Sequence, residues 1–176
     1  MSVAGLAIDA STRNPIVLLL DPSKRRQVPI WIDHAQAHHI LSGIKDLQET
    51  TPLSHDLMLS LMELGELKLE KVIIHSIEDN TFHAVLKILK RQKDEQEESN
   101  IKLNSIEMNA RPSDAIALAV RSKCTIWMLE EVVSKASIPV DIEADEEDKN
   151  EFKKFLDEIS PASLINHFQE NDKETS

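Results

Sequence analysis

Tyrosine is absent from this 176-residue chain, glycine occurs three times and cysteine once. With so few glycines and no Gly/Ser-rich stretch, no flexible linker divides the chain. The lone thiol, Cys124, can form neither an internal disulfide nor a cysteine-rich metal site, and it fits a reducing cytoplasm. Two tryptophans and four phenylalanines are too few to stack a single strand in the manner of an RRM or OB-fold. No apolar run approaches the roughly 18 residues of a membrane span. Neither a GxGxxG turn nor a P-loop occurs, which argues against a nucleotide-cofactor enzyme. The opening stretch Met1–Ala10 lacks a basic n-region and carries Asp9 inside its apolar run. It reads as a first strand and not as a signal peptide.

What the chain has in excess is negative charge, formally −11. Residues 141–176 hold twelve acidic against four basic side chains, while residues 1–140 hold nineteen against sixteen. An acidic surface repels phosphate backbones at long range. Here the repulsion is concentrated in the tail, and the near-neutral body is not barred from nucleic acid. We therefore expect one domain over 1–140 and an acidic helical tail over 141–176. The tail admits three roles: a solubilising appendage, a docking helix, or an autoinhibitory mimic of nucleic acid. The first is the plainest.

Hydrophobic spacing and turn chemistry set out the elements. Val3–Ala10, Ile16–Leu20 and Val28–Ile32 read as strands, and Pro29 marks the third as an edge or bulged strand. Asp33 is a good N-cap for a helix running to about Gln48. Thr51-Pro52 opens a second helix with Leu53, Leu57, Met58, Leu61 and Leu64 as its buried stripe and Gly65 as its stop. Leu69–Ile77 and Thr81–Leu89 form a hairpin about Asp79-Asn80. The polar loop Arg91–Asn100 leads into a strand over Ile101–Asn109. Ser113 caps a helix whose Ala115–Val120 stretch is apolar all round and therefore buried. Thr125–Leu129 reads as a last strand and Glu130–Lys135 as a short helix. The expected fold is α+β: a mixed, largely antiparallel sheet with helices packed on it. Two strands and a capped helix recur at 16–48 and 81–123, as in a duplicated β-β-α unit.

Three stretches resemble the bifunctional nuclease domain family: VPIWI at 28–32, PLSHDLMLSLMELGELKLEKVIIHSIEDNTFHAVLKI at 52–88 and ARPSDAIALAVRSK at 110–123. The resemblance covers roughly residues 3–140. It implies nuclease activity on RNA and DNA, an α+β fold, and a homo-oligomer, commonly a dimer. The chain departs from the family pattern at Asp33, where the family usually has Gly. Gln36 and Asn109 each stand where the family carries an acid.

Within that frame, Arg111 is suited to a bidentate phosphate contact. Ser113 and Asp114 occupy a helix start that offers N–H groups to an anion. Divalent-metal nucleases hold Mg²⁺ or Mn²⁺ with carboxylates, for which Asp114 and Asp33 are the candidates. The plainer reading is that Ser113 caps, Asp114 complements the helix dipole and Arg111 pairs with Asp114. His34 and His38 share a helical face, the spacing for a shared metal, and His38 is the candidate to move protons. Solvent-facing histidines are the ordinary alternative. His55-Asp56 and the cross-strand pair His75 and His83 read as structural. Arg25 and Arg26, in the basic turn after Lys24, are candidates to hold a nucleic-acid backbone, against a merely solvated turn. Two functions follow: metal-assisted phosphodiester hydrolysis, or a non-catalytic oligomer docking on machinery such as RNA polymerase.

Overall fold

The computed structural model describes residues 1–45, 51–93 and 101–140. The expected acidic tail over 141–176 lies outside these residues, as does most of the loop before Ile101, and the first helix, expected to run to about Gln48, ends at Ile44 with Lys45 as its C-cap. The chain opens with strands β1 (Ser2–Ile8), β2 (Pro15–Leu20) and β3 (Arg26–Trp31). Helices α1 (His34–Ile44) and α2 (Ser54–Leu64) follow. Next come β4 (Leu67–Glu78), β5 (Thr81–Lys93) and β6 (Ile101–Ala110), then α3 (Pro112–Ser122). The described chain ends with β7 (Thr125–Met128), α4 (Glu130–Ala136) and β8 (Ile138–Pro139).

The fold is α+β, as expected, but the strands divide into two four-stranded sheets, ordered β1-β2-β3-β8 and β6-β5-β4-β7. Every pairing is antiparallel except that of β4 with β7. Each sheet is an antiparallel meander followed by a helix. The expected β-β-α recurrence is therefore visible as β2-β3-α1 and β5-β6-α3. The closing stretch ties the sheets together, because β7 joins one, β8 joins the other, and α4 spans the step between them. Pro29 sits beside Leu18 of β2, while β8 pairs only with Arg26 and Gln27. The side of β3 facing away from β2 is unpaired at that point, which is where a residue without an N–H fits.

Helix α3 is the central element. Ala115 through Ala119 are each at most 3% exposed, as an apolar stretch enclosed on all sides requires. Small residues bring α1 against it. A β-carbon added at Gly43 would lie 2.6 Å from Val120 Cγ2 and 2.8 Å from Arg121 Nη1, so only glycine allows this approach.

Three local expectations are corrected. The N-cap of α3 is Arg111, in extended conformation, and not Ser113, which is buried in the first turn. Pro112 decides this: proline is well placed at the first helical position, and it forces the residue before it to be extended. Helix α2 starts at Ser54, after an extended Leu53, and not at Pro52. Asp56 fixes that start by reaching back to accept the Leu53 N–H at 3.0 Å. Finally, the stripe expected to be buried on α2 faces outward: Leu57, Met58, Leu61 and Leu64 are 47–82% exposed. The packed face carries His55, Leu59 and Met62 instead. Helix α2 is apolar on two faces, and packing against α3 selects the one with a partner for His55 and Asp56.

Candidate functional site

Strand β6 delivers Asn109 and Ala110 directly to the head of α3. There Arg111 folds back over the first turn. Its Nε donates to Asp114 Oδ2 at 2.6 Å, and its Nη2 donates to Asp114 Oδ1 at 3.1 Å. The Asp114 and Asp33 carboxylates keep the guanidinium firmly charged. Burial pushes the Asp114 carboxyl up, but its bonds to Arg111 and to His55 outweigh this and hold it below the ordinary carboxylate value.

Behind Asp114 lies a polar seam built on His55 and Asp56, the pair that the sequence reads as structural. The Nε2 of His55, a residue only 4% exposed, stands 3.3 Å from Asp114 Oδ1. The His55 ring lies 4.9 Å from that of His39, which lies 6.0 Å from His38. Next to His55, Asp56 Oδ1 accepts from Arg121 Nε at 2.8 Å. Arg121 also donates to the backbone carbonyls of His39 and Ala117. The signal was present in the sequence. Asp114 and Arg121 are seven apart, hence on one helical face, and His55-Asp56 offers the matching partners.

An open cleft of about 680 Å³ lies where the two sheets meet. The end of β3 and head of α1 supply Trp31 and Gln36, the β4–β5 hairpin supplies His75 and His83, and the β6–α3 junction supplies Asn109 and Arg111. Among the described residues lining it there is no aspartate or glutamate. Trp31 is held at the rim by its indole N–H, which donates to Asp9 Oδ2 at 3.0 Å.

Of the residues picked from sequence, Arg111 and Ser113 line this cleft. Asp114 touches it only through Arg111. Asp33 is the N-cap of α1: its Oδ1 accepts the Gln36 N–H at 2.8 Å, and its own N–H donates to Gln36 Oε1 at 3.0 Å. His38 is an exposed residue of α1 and is not among the lining residues. Arg26 begins β3 and Arg25 precedes it, whereas the cleft takes the other end of the strand, about 17 Å away along an extended chain. Arg26 is also engaged, donating to Glu130 at 2.7 Å.

These donors do not fit a divalent cation as they stand. Both oxygens of Asp114 face a guanidinium, the Asp33 carboxylate is committed to its cap, and no three metal-ligating side chains cluster among the described residues. A metal would have to displace Arg111 from Asp114 against the repulsion of its charge.

Residues 17–141 match the model of the bifunctional nuclease domain, and the chain belongs to that family. Two curated relatives, uncharacterized proteins of two Mycobacterium tuberculosis strains, are each 30% identical over 167 residues, covering 90% of this chain and 93% of theirs. Among the described residues no helix is long and apolar enough to cross a membrane.

Proposed function

We propose that this protein is a nuclease that seats the phosphodiester backbone of RNA or DNA in the cleft between its sheets and cuts it there. The observation that carries this reading is Arg111: a charged fork, aimed by Asp114, on the rim of a cleft lined by no carboxylate among the described residues. A guanidinium matches two phosphate oxygens at once. Asp114 acts through Arg111 as a positioning residue, and the first turn of α3 adds its N–H groups. Gln36 and Asn109 supply amide donors for the remaining phosphate oxygens. Arg25 and Arg26 would meet the strand a few nucleotides away, at the far end of β3. Family membership supports the same activity. We also propose a homodimer, with the outward apolar face of α2 as its contact.

Labelled RNA and DNA incubated with the full-length protein, in Mg²⁺, in Mn²⁺ and in EDTA, test the reading. Cleavage is expected, and Arg111→Ala should lower kcat/KM by about 10²–10³-fold, the usual cost of removing one such anion-stabilising group. Failure to cut either polymer under all three conditions would sink the proposal. So would an Arg111→Ala protein as active as the wild type.

A further inference from the structure

The two histidines of the β4–β5 hairpin stand side by side on the wall of the cleft. His83 pairs with Ser76 across the hairpin, and a register shift between Ile74 and Ser76 places His75 beside that pair. Their ring centroids are 6.3 Å apart and their planes are tilted by 33°. His83 is exposed, His75 is partly so, and both line the cleft that holds Arg111, Gln36 and Asn109. Imidazole is the side chain best suited to both take and give a proton near neutral pH. Two imidazoles at this separation leave room for one phosphate group, with each ring within hydrogen-bond reach of a different ester oxygen, about 3 Å.

The cleft therefore combines a cation, two neutral amides and two imidazoles, without a carboxylate among its described lining residues. Seating a hard cation needs oxygen ligands, usually carboxylates. Acid–base transfer to an internal nucleophile needs none. We infer that His75 and His83 are a catalytic acid–base pair that cleaves RNA without a metal, using the ribose 2′-hydroxyl as nucleophile.

One imidazole takes the proton of the 2′-hydroxyl as O2′ forms a bond to phosphorus. The bond from phosphorus to O5′ breaks, and the departing oxygen takes a proton from the other imidazole. The products are a 2′,3′-cyclic phosphate and a 5′-hydroxyl end. One ring has gained a proton and the other has lost one, and exchange with water restores both. Arg111 faces the charge that grows on the non-bridging oxygens. DNA has no 2′-hydroxyl, so a cut in DNA in the same cleft needs water as the nucleophile and lies outside this route.

The inference rests on the nuclease reading, and one experiment separates the two. RNA, DNA and an RNA carrying a single 2′-deoxynucleotide at the scissile position are incubated with the full-length protein, with Mg²⁺ or with EDTA. The product ends are then identified. Expected are EDTA-resistant cleavage of RNA to cyclic phosphate and 5′-hydroxyl ends, and no EDTA-resistant cut at the deoxy position. His75→Gln and His83→Gln should each lower the rate by about 10²–10⁴-fold. Their affinity for the deoxy-substituted RNA should change less than about twofold, and since neither side chain is buried, their melting should be unaltered. Cleavage that needs Mg²⁺ and leaves 5′-phosphate ends would overturn the inference while keeping the nuclease reading. So would wild-type rates in both histidine variants. No cleavage of any polymer under either condition would remove both.

Discussion

Arg121 shows how much one side chain can fix. It is largely buried, binds Asp56 of α2, and donates to backbone carbonyls of α1 and of its own helix. Replacing it with methionine fills the space but strands two carbonyls and Asp56. Because Asp56 is partly exposed, water recovers some of that loss. Arg121→Met should therefore cost about 2–3 kcal/mol in denaturant unfolding. His39 gives a pH signature. Burial, followed by the charges of His55, His38 and Arg121, lowers its pKa from the ordinary 6.5. The unfolded chain thus binds more protons than the folded one once pH falls below about 6.5, and stability declines from there towards the folded-state value. Above that range the penalty is absent. His39→Gln should flatten the decline between about pH 7 and pH 5, measured by chemical denaturation.

At the scale of elements, α2 is the unusual one. An outward stripe of Leu57, Met58, Leu61 and Leu64 is more apolar surface than a lone helix usually presents. If it is the contact of a homodimer, Leu61→Asp should shift the full-length protein to monomer in light scattering, with little change in the melting of the monomer itself. A wild-type protein that is monomeric at all concentrations would remove that contact. The hairpin β4–β5 is unusual in another way. Asp79 and Asn80 both adopt positive φ, 47° and 60°, the turn geometry that tight hairpins favour. It brings together His75 and His83, the cross-strand pair that the sequence reads as structural.

At the scale of the whole molecule, we expect charge and fold to be separable. Among the described residues the buried core runs from Leu6 to Val133, while the excess of acidic side chains lies in residues 141–176. Ending the chain after Val140 should leave the melting temperature nearly unchanged. It should tighten RNA binding at low salt, with the difference shrinking as ionic strength rises. Equal affinity for both chains at low salt would show that the tail does not act through long-range charge.

The sequence by itself determined the fold class, the order of elements and the membership of Arg111 and Asp114 in one helix start. Periodicity, proline and turn residues act over a few positions, and these features are written at that range. The hairpin and the Asp33 cap were legible for the same reason. Which face of α2 is packed, the split of the strands into two sheets, and the pairing of His55 with Asp114 were decided only by tertiary structure. So was the cleft itself, which gathers Gln36, His75, His83, Asn109 and Arg111 from four separate stretches. Those outcomes depend on which distant surfaces exclude water together. A two-faced helix or a lone histidine is compatible with several such arrangements until the partner element is in place.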